Sequence, residues 1–141
     1  MKFQLIKNQI ESLNIRPFDD EPSKKSNFSF SHSYRFNEKS NKSFVISFNF
    51  ELLSGNKFKV NFIHNFFFES NEVITDDFLK SHYISVNAPA IAYPYVRAFV
   101  ATLLLNAGLE AVLLPAVNFV EHAKMQEQEQ EQEQEQEQEK S

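Results

Sequence analysis

The sequence contains no cysteine and no tryptophan, and glycine occurs only twice in its 141 residues. The absence of cysteine excludes disulfide bonds and thiolate metal sites, and it suits a protein of the reducing cytoplasm. The sequence also lacks a glycine-rich phosphate loop, a Walker motif and a nucleophile elbow, so we predict no cofactor. Near the N-terminus, Lys7 and Glu11 interrupt the apolar residues, and no signal peptide is predicted. We therefore expect a cytoplasmic location.

Outside the C-terminal tail, acidic and basic residues nearly balance. The chain has a formal net charge of −5, but residues 126–141 hold seven glutamates and one lysine and contribute −6. The rest of the chain therefore carries a net charge of +1. Such a body has no basic face for nucleic acid, and we expect its partners to bind through apolar or backbone contacts.

Phenylalanine is abundant, with 16 residues, and most of them fall on alternate positions. Large residues occupy every second position within residues 28–36, 44–52 and 58–68, with polar residues between them. This period of two predicts half-buried antiparallel strands. With residues 3–15 as a first strand, the sequence predicts a four-stranded antiparallel meander with one apolar face. Residues 16–22 contain two prolines and three acidic residues and are predicted to form a crossover loop.

The second half of the chain is predicted to be helical. Between residues 88 and 119 the only charged residues are Arg97 and Glu110, which suggests a membrane span, a core helix or a surface for other chains. Pro94 fits a first helical turn, so we predict a helix that starts near residues 93–95 and ends before Gly108. That helix is shorter than the ~20 apolar residues of a membrane span, and we predict no membrane insertion. A second helix is predicted from Val117.

The C-terminal residues 125–141 repeat glutamine and glutamate. Both residue types favour helices, but the alternation places glutamates four residues apart, where they repel one another. The repeat also has no apolar seam that would make a coiled coil. We therefore predict a solvated and mostly disordered tail.

Few residues have the spacing that is typical of a catalytic or metal-binding site. No two of the four histidines have metal-ligand spacing, and His32 and His64 share the parity of the apolar strand residues. We interpret these two as hydrogen-bonded core residues. The acidic residues 19–21 and 76–77 fall in predicted loops, where solvated side chains or helix caps are expected. The sequence therefore predicts no metal site and no enzyme.

One long segment resembles a known family. Residues 89–119, "PAIAYPYVRAFVATLLLNAGLEAVLLPAVNF", resemble SecB, the bacterial protein-export chaperone, over most of a family motif. The opening Phe3-Gln4-Leu5 and the four-strand layout are similar too, although more weakly. The motif residues matched by identity, by aromatic character or as the helix break are Pro89, Ile91, Tyr93, Pro94, Tyr95, Arg97, Gly108, Val117, Asn118 and Phe119.

Some positions depart from the family pattern. Leu109-Glu110 stands where the family has Phe-Pro after the glycine, and the proline before Val117 is displaced. Export chaperones of this family present an acidic sheet face to the motor ATPase SecA, whereas residues 57–61 here carry two lysines and an asparagine. The resemblance therefore leaves two branches open: export with hand-off to SecA, and the SecB-like chaperones of toxin–antitoxin systems, which hold an antitoxin.

The resemblance implies a fold and an assembly. SecB-like subunits are α+β, with a four-stranded antiparallel sheet, a long helix and a C-terminal helix, and they form a homotetramer as a dimer of dimers. We expect residues 1–124 to form this domain and residues 125–141 to form the tail. Ile63 and Phe67 lie on the opposite strand face from their apolar neighbours. The candidate contacts with clients or other subunits are Phe18, Ile63, Phe66, Phe67, Phe68 and Leu109.

The implied function is that of an ATP-independent holdase. Such a chaperone would bind unfolded polypeptides, among them preproteins for export, and keep them competent for translocation by burying their apolar segments. A chaperone for an antitoxin is the alternative within the family. Outside the family, the same sheet and helix suit a carrier of a small apolar ligand, or a purely structural tetramer.

Overall fold

The computed structural model describes residues 2–17, 27–36, 40–54 and 57–139. Its class is α+β, with a four-stranded antiparallel sheet followed by helices, as the sequence predicts. The elements, in chain order, are β1 (Phe3–Pro17), β2 (Asn27–Phe36), β3 (Ser43–Ser54), β4 (Phe58–Ser70), α1 (Asp76–Leu79), a π-helix (Tyr83–Asn87), α2 (Ala88–Ala107) and α3 (Phe119–Glu139).

The order of the strands differs from the predicted meander. Strands β2, β3 and β4 do form a meander, but β1 lies beside β4, so the sheet order is β1-β4-β3-β2. This is the neighbour relation of a Greek key, with the long connection at the N-terminal end. The two most completely buried strands, β3 and β4, thereby occupy the centre, and the more exposed β1 and β2 lie at the edges.

The first strand is also longer than predicted. It continues past residue 15 to Pro17, and Arg16 and Pro17 lie opposite Lys59 and Phe58 of β4. The end of an edge strand tolerates proline because its nitrogen need not donate to a neighbour. The rest of the predicted crossover loop, including Phe18, lies outside the described residues.

The core lies between the sheet and α2. On the inner face of β3 and β4 the phenylalanines stack in cross-strand pairs, with ring centroids 5.1 Å apart for Phe44 and Phe68 and 4.9 Å for Phe50 and Phe62. Each of these four rings is at most 1% exposed. The predicted apolar face with period two is therefore confirmed, and it supplies most of the apolar burial that holds the fold together.

The long helix α2 begins earlier than predicted. It starts at Ala88, directly after the π-helix, and places Pro94 in its interior. The missing N–H of this proline would have bonded the carbonyl of Ala90, which lies on the exposed side, where water can reach it. At the other end, Gly108 caps the helix with φ 72°, as expected for a glycine after the last turn.

The helical stretch Tyr83–Ala107 is 25 residues long, with a mean hydropathy of 1.4 in its most apolar part. By length and composition alone it is long enough to cross a membrane, so the prediction that it is too short is wrong. However, one side of α2 packs on the sheet, and this stripe repeats every four residues at Ala88, Ala92, Val96, Val100 and Leu104. Such a stripe is typical of the core helix of a globular domain.

The C-terminal helix α3 includes the Gln-Glu repeat. Its first turn is capped by Asn118, whose side-chain oxygen accepts hydrogen bonds from the N–H groups of Val120 (3.0 Å) and Glu121 (3.3 Å). From this start the helix continues to Glu139, in contrast to the predicted disordered tail. The high helix propensity of glutamine and glutamate favours this continuation once the first turns are fixed. Residues 127–139 are exposed, so the predicted solvation is observed.

Candidate functional site

Apolar side chains remain exposed on the inner face of both edge strands. The helices cover the centre of this face, but Leu13 and Ile15 of β1 and Tyr34 and Phe36 of β2 are between 38% and 46% exposed. These side chains share the inward parity of the buried phenylalanines of β3 and β4. The edges of the sheet therefore carry apolar surface that the described residues do not cover.

A groove runs along the inner side of β2. It has a volume of about 460 Å³ and lies between β2, the end of α1, the π-helix and α3. We call it the β2 groove. Two of its lining residues are charged, Lys80 and Glu127, and their charges have opposite signs. Its other lining residues include His32, Tyr34, Leu79, Ile84, Ala123 and Gln126.

The outer edge of β2 is suited to accept another strand. Within the described ranges β2 pairs only with β3, in a register without bulges from Asn27 to Phe36. Its outward side chains Ser29, Ser31 and Ser33 are small, Arg35 is the one charged residue of the strand, and the strand contains no proline or lysine. An edge of this kind offers a row of main-chain N–H and C=O groups to an extended peptide.

The opposite edge is protected. Strand β1 has two register shifts, between Leu5 and Lys7 and between Ile10 and Ser12. It also carries lysine, glutamate, arginine and a terminal proline. Bulges, charges and proline are the features that keep edge strands from adding partners. The two edges of the sheet therefore differ, and β2 is the more open one.

A second and larger groove lies at the start of β1. It has a volume of about 730 Å³ and is lined by Lys2, Phe3, Asn71, Asn87 and Ile91, among others. Two hydrogen bonds join Lys2 and Asn71 here: Lys2 N donates to the side-chain Oδ1 of Asn71 (3.0 Å), and Asn71 N donates to Lys2 O (2.9 Å). Exposed Ile91 of α2 forms part of this groove and provides an apolar wall.

The predicted contact residues of β4 fall into two groups. Phe66 and Phe68 are at most 1% exposed in the core, so their side chains offer no surface to a client or a subunit. Ile63 and Phe67 are half-buried on the outer face, where the Lys7 ammonium lies 4.7 Å from the centroid of the Phe67 ring. Leu109 is half-buried against the core.

The outer face of the sheet is mostly polar, although buried Val45 and half-buried Leu53 of β3 also lie on it. Ser47 donates a hydrogen bond to Asn65 Oδ1 (2.6 Å), and Glu51 accepts one from Asn61 Nδ2 (3.2 Å). Glu51 also forms an ion pair with Lys59 (3.4 Å). These contacts join polar side chains of β3 and β4 across the outer face.

The two histidines predicted to lie in the core differ in their partners. His64 is 2% exposed and its Nε2 lies 2.9 Å from Asn8 Oδ1, which confirms a hydrogen-bonded core residue. Burial lowers the pKa of His64 to about 4. His32 is less buried, and its Nε2 is enclosed without a hydrogen-bond partner among the described residues. No group of three or more potential metal ligands occurs in the described part of the chain.

Comparison with known families identifies the chain. The SecB family profile, described as "Preprotein translocase subunit SecB", matches residues 9–133. The chain belongs to the SecB family. SecB-family chaperones are not enzymes, and the sequence prediction of a non-enzymatic protein agrees with this assignment.

The fold of this SecB-family chain resembles that of solved structures. A SecB-like chaperone of Mycobacterium tuberculosis, in complex with a ChAD peptide from the HigA1 antitoxin, matches with a TM-score of 0.65 and 15% identity, over 82% of this chain and 88% of that one. A protein of unknown function from Streptococcus agalactiae matches with a TM-score of 0.46 and 12% identity, over 82% and 98%. Comparison with curated proteins gave no significant match.

Several residues of the SecB-like motif fix the connection between α2 and α3. Tyr93 is 4% exposed, and its hydroxyl donates a hydrogen bond to the carbonyl oxygen of Pro115 (2.7 Å). Gly108 ends α2, Asn118 caps α3, and buried Phe119 packs its ring against Tyr93. These residues hold the extended segment 109–118 against the body, so their roles in this chain are structural.

The remaining motif residues lie along α2 and at its ends. Pro89 is buried, Arg97 and Val117 are half-buried, and Ile91, Pro94 and Tyr95 are exposed. Burial raises the pKa of Tyr93, and the nearby positive charge of Arg97 opposes this shift. The exposed motif residues leave surface on α2 for contacts outside the subunit.

The Tyr93 hydrogen bond predicts a measurable loss of stability. In Tyr93→Phe the buried ring remains but the Pro115 carbonyl loses its donor, and we expect the free energy of unfolding to fall by about 1 kcal/mol. Urea unfolding followed by circular dichroism would measure it. Tyr95→Phe, which removes the hydroxyl of a half-exposed ring on the same helix, is the matched control. Equal unfolding curves for the two variants would contradict the structural role of the Tyr93 hydroxyl.

Proposed function

We propose that this SecB-family chain is an ATP-independent holdase that binds unfolded polypeptides and keeps them soluble. The observation that carries the proposal is a regular β2 edge that no other described strand covers, with exposed Tyr34 and Phe36 and the β2 groove beside it. An extended client would add to the β2 edge through main-chain hydrogen bonds, which do not depend on sequence. Its alternate side chains would contact exposed Tyr34 and Phe36.

The charges around the β2 groove support broad client selection. Lys80 and Glu127 have opposite signs, and the body of the chain is close to neutral. Binding would therefore depend on apolar burial and main-chain contacts, and moderate salt would change it little. Several weak contacts along one long client would together give tight binding.

Assembly would place several such grooves on one particle. The side of α2 that faces away from the sheet carries no charged residue. We call this surface the outer stripe, and it consists of Ile91, Pro94, Ala98, Thr102 and Leu105, all exposed. An uncharged helix stripe of small and apolar residues suits contact with another subunit, and we propose a cytoplasmic homotetramer, a dimer of dimers.

Two kinds of client are candidates within the family. Preproteins for export agree with the description of the matched family, and we propose them as clients. An antitoxin is the second candidate, because the outer sheet face has Arg16 directly opposite Lys59 in place of an acidic surface for SecA. The chaperone with the similar fold is bound to an antitoxin peptide, which supports the same candidate.

An aggregation assay tests the holdase. A chemically unfolded test protein is diluted with and without equimolar tetramer, in the absence of nucleotide, and light scattering is recorded at several salt concentrations. We expect scattering to be suppressed at every salt concentration. The double variant Tyr34→Ser, Phe36→Ser should lose most of this activity, because it removes the exposed apolar side chains beside the β2 edge.

The matched control removes two exposed apolar side chains elsewhere. Val73 and Leu113 are 48% and 90% exposed and do not line the β2 groove. Val73→Ser, Leu113→Ser should suppress aggregation like the original chain. Aggregation at an unchanged rate with the original tetramer would reject the holdase, and a lipid-sized molecule in native mass spectra would then favour the carrier. Equal losses in both double variants would reject the β2 groove as the site.

A further inference from the structure

A cluster of rings attaches the start of helix α3 to strand β2. Phe119 and His122 of α3 contact Phe30 and His32 of β2, with the His122 ring stacked on Phe30 at 5.1 Å between centroids. Beyond this cluster, the side chains of α3 are exposed from Glu127 onward. The helix also packs against the π-helix, and its half-buried side chains extend to Gln126, so the attachment lies mainly in its first two turns.

The rings of His32 and His122 contact each other, and one nitrogen of each ring lacks a hydrogen-bond partner among the described residues. Their ring centroids lie 5.3 Å apart with an angle of 31° between the planes. The Nε2 atom of His32 and the Nδ1 atom of His122 are both enclosed, and neither has a hydrogen-bond partner among the described residues. Phe48 and Phe119 pack against His32 as well. A proton on either enclosed nitrogen would meet a second imidazole and aromatic carbon, and no acceptor.

We propose that His32 and His122 form an acid-sensitive clamp that holds α3 on the sheet when both rings are neutral and releases it when either ring is protonated. The clamp is a property of the ring cluster and does not depend on the proposed holdase activity. Because His32 also lines the β2 groove, release of α3 would remove one wall of that groove and uncover Phe30 and His32.

The surrounding charges determine the direction of the pH dependence. Burial, followed by the positive charge of His122, lowers the pKa of His32 to about 4. Burial also lowers the pKa of His122, while Glu129 on the same helix opposes this shift. Tyr34 of β2, Lys80 after α1 and Glu127 of α3 line the groove next to His32. Stacking on Phe30 would favour a charged His122 through a cation–π contact and so opposes the effect of burial.

The docked state binds fewer protons than the released state, so docking is strongest above the ordinary histidine pKa of 6.5 and weakens as the pH falls toward 4. If the pKa of His32 is about 4 when α3 is docked and 6.5 when α3 is released, the equilibrium constant for docking falls about 30-fold from pH 7.5 to pH 5. The expected change is therefore large within a pH range that leaves most glutamates ionised.

Spin labels can measure the release directly, because the chain has no cysteine and labels attach only to introduced ones. One label is placed on β2 by Ser29→Cys and one on α3 by Glu133→Cys, both at exposed positions. Labelled chains are diluted with unlabelled chains to suppress distances between subunits, and a chelator excludes metal ions. We expect a narrow distance distribution at pH 7.5 and a broad, longer one at pH 5.0.

The matched variant keeps both rings but cannot take up a proton. In His32→Phe, His122→Phe the distance distribution should stay narrow at both pH values. His122→Phe alone leaves β2 unchanged and should show a reduced response, which provides a second test if the double variant folds poorly. An unchanged distribution in the original chain at pH 5.0 would overturn the proposal. An equal release in the variants would also overturn it and would assign the effect to the α3 carboxylates or His64.

Discussion

Phe48→Ala is expected to remove about 3–5 kcal/mol from the free energy of unfolding, a large part of the 5–15 kcal/mol typical of a whole domain. Phe48 is completely buried at the centre of the inner sheet face. Its ring contacts Phe66 on the next strand and Phe119 on α3, so truncation leaves a cavity between two layers of the fold. Urea unfolding at a fixed protein concentration would measure the loss, because the stability of an oligomer depends on concentration.

The control for this prediction is Phe36→Ala. Phe36 has the same inward parity on a neighbouring strand, but its ring is 44% exposed. Its truncation should therefore cost less than half as much as that of Phe48. Similar losses in both variants would mean that the sheet face is covered evenly, for example by another subunit over β2, and would contradict the open edge described for β2.

Ala98→Glu is expected to break the proposed tetramer into smaller species. Ala98 lies in the middle of the uncharged outer stripe of α2 and is exposed in the single chain. In a subunit interface a new carboxylate there would lose water without gaining a partner, at a cost of several kcal/mol. Multi-angle light scattering at micromolar concentration should show the mass of a dimer or a monomer, with the secondary structure unchanged in circular dichroism.

The same substitution on the other side of the helix provides the control. Ala107 is exposed at the C-terminal end of α2 and does not belong to the outer stripe. Ala107→Glu should keep the mass of the original assembly. If Ala98→Glu also keeps it, the outer stripe faces solvent and another surface holds the subunits together. If the original chain is a monomer, the proposed tetramer is wrong.

The strands were predictable because their burial repeats along the chain. Alternation of phenylalanine with serine, asparagine and lysine gave β2, β3 and β4 within a few residues of their observed bounds. Alternation contains no information about which strand is the neighbour, and the position of β1 beside β4 could not be derived from it. The end of β1 at Pro17 was missed because proline was taken as a loop signal, although an edge strand permits it.

The helices show where local rules compete. Gly108 marked the end of α2 correctly, because only a residue without a side chain easily adopts its positive φ. Pro94 was placed in a first turn, since an interior proline costs about 3 kcal/mol, but the apolar stripe from Ala88 onward outweighs that cost. In the Gln-Glu repeat, helix propensity and a capped start outweigh the expected repulsion between glutamates.

The candidate surface was predictable only in its composition. Abundant aromatic residues predicted a sheet with surplus apolar area on Ile63 and Phe66–Phe68 of β4. Phe66 and Phe68 lie in the core, whereas Ile63 and Phe67 are half-buried on the outer face. The exposed Tyr34 and Phe36 have the same parity and chemistry as buried residues, and only their place on an edge strand leaves them accessible. Contact between His32 and His122 joins residues 90 positions apart, which no local pattern encodes.

The sheet order has a consequence for the order of events at the ribosome. Strand β1 leaves the ribosome before the other three strands but can pair only after β4 has emerged, because Phe3 lies opposite Ser70, 67 residues later. At a synthesis rate of about 5–20 residues per second, β1 would wait roughly 3–13 s for its neighbour. During this time its inward residues Leu5, Ile10 and Leu13 have no sheet to cover them. The bulges and charges of β1 would then protect the nascent chain as well as the finished edge, so that a polypeptide of this family avoids the premature strand pairing that threatens unfolded chains.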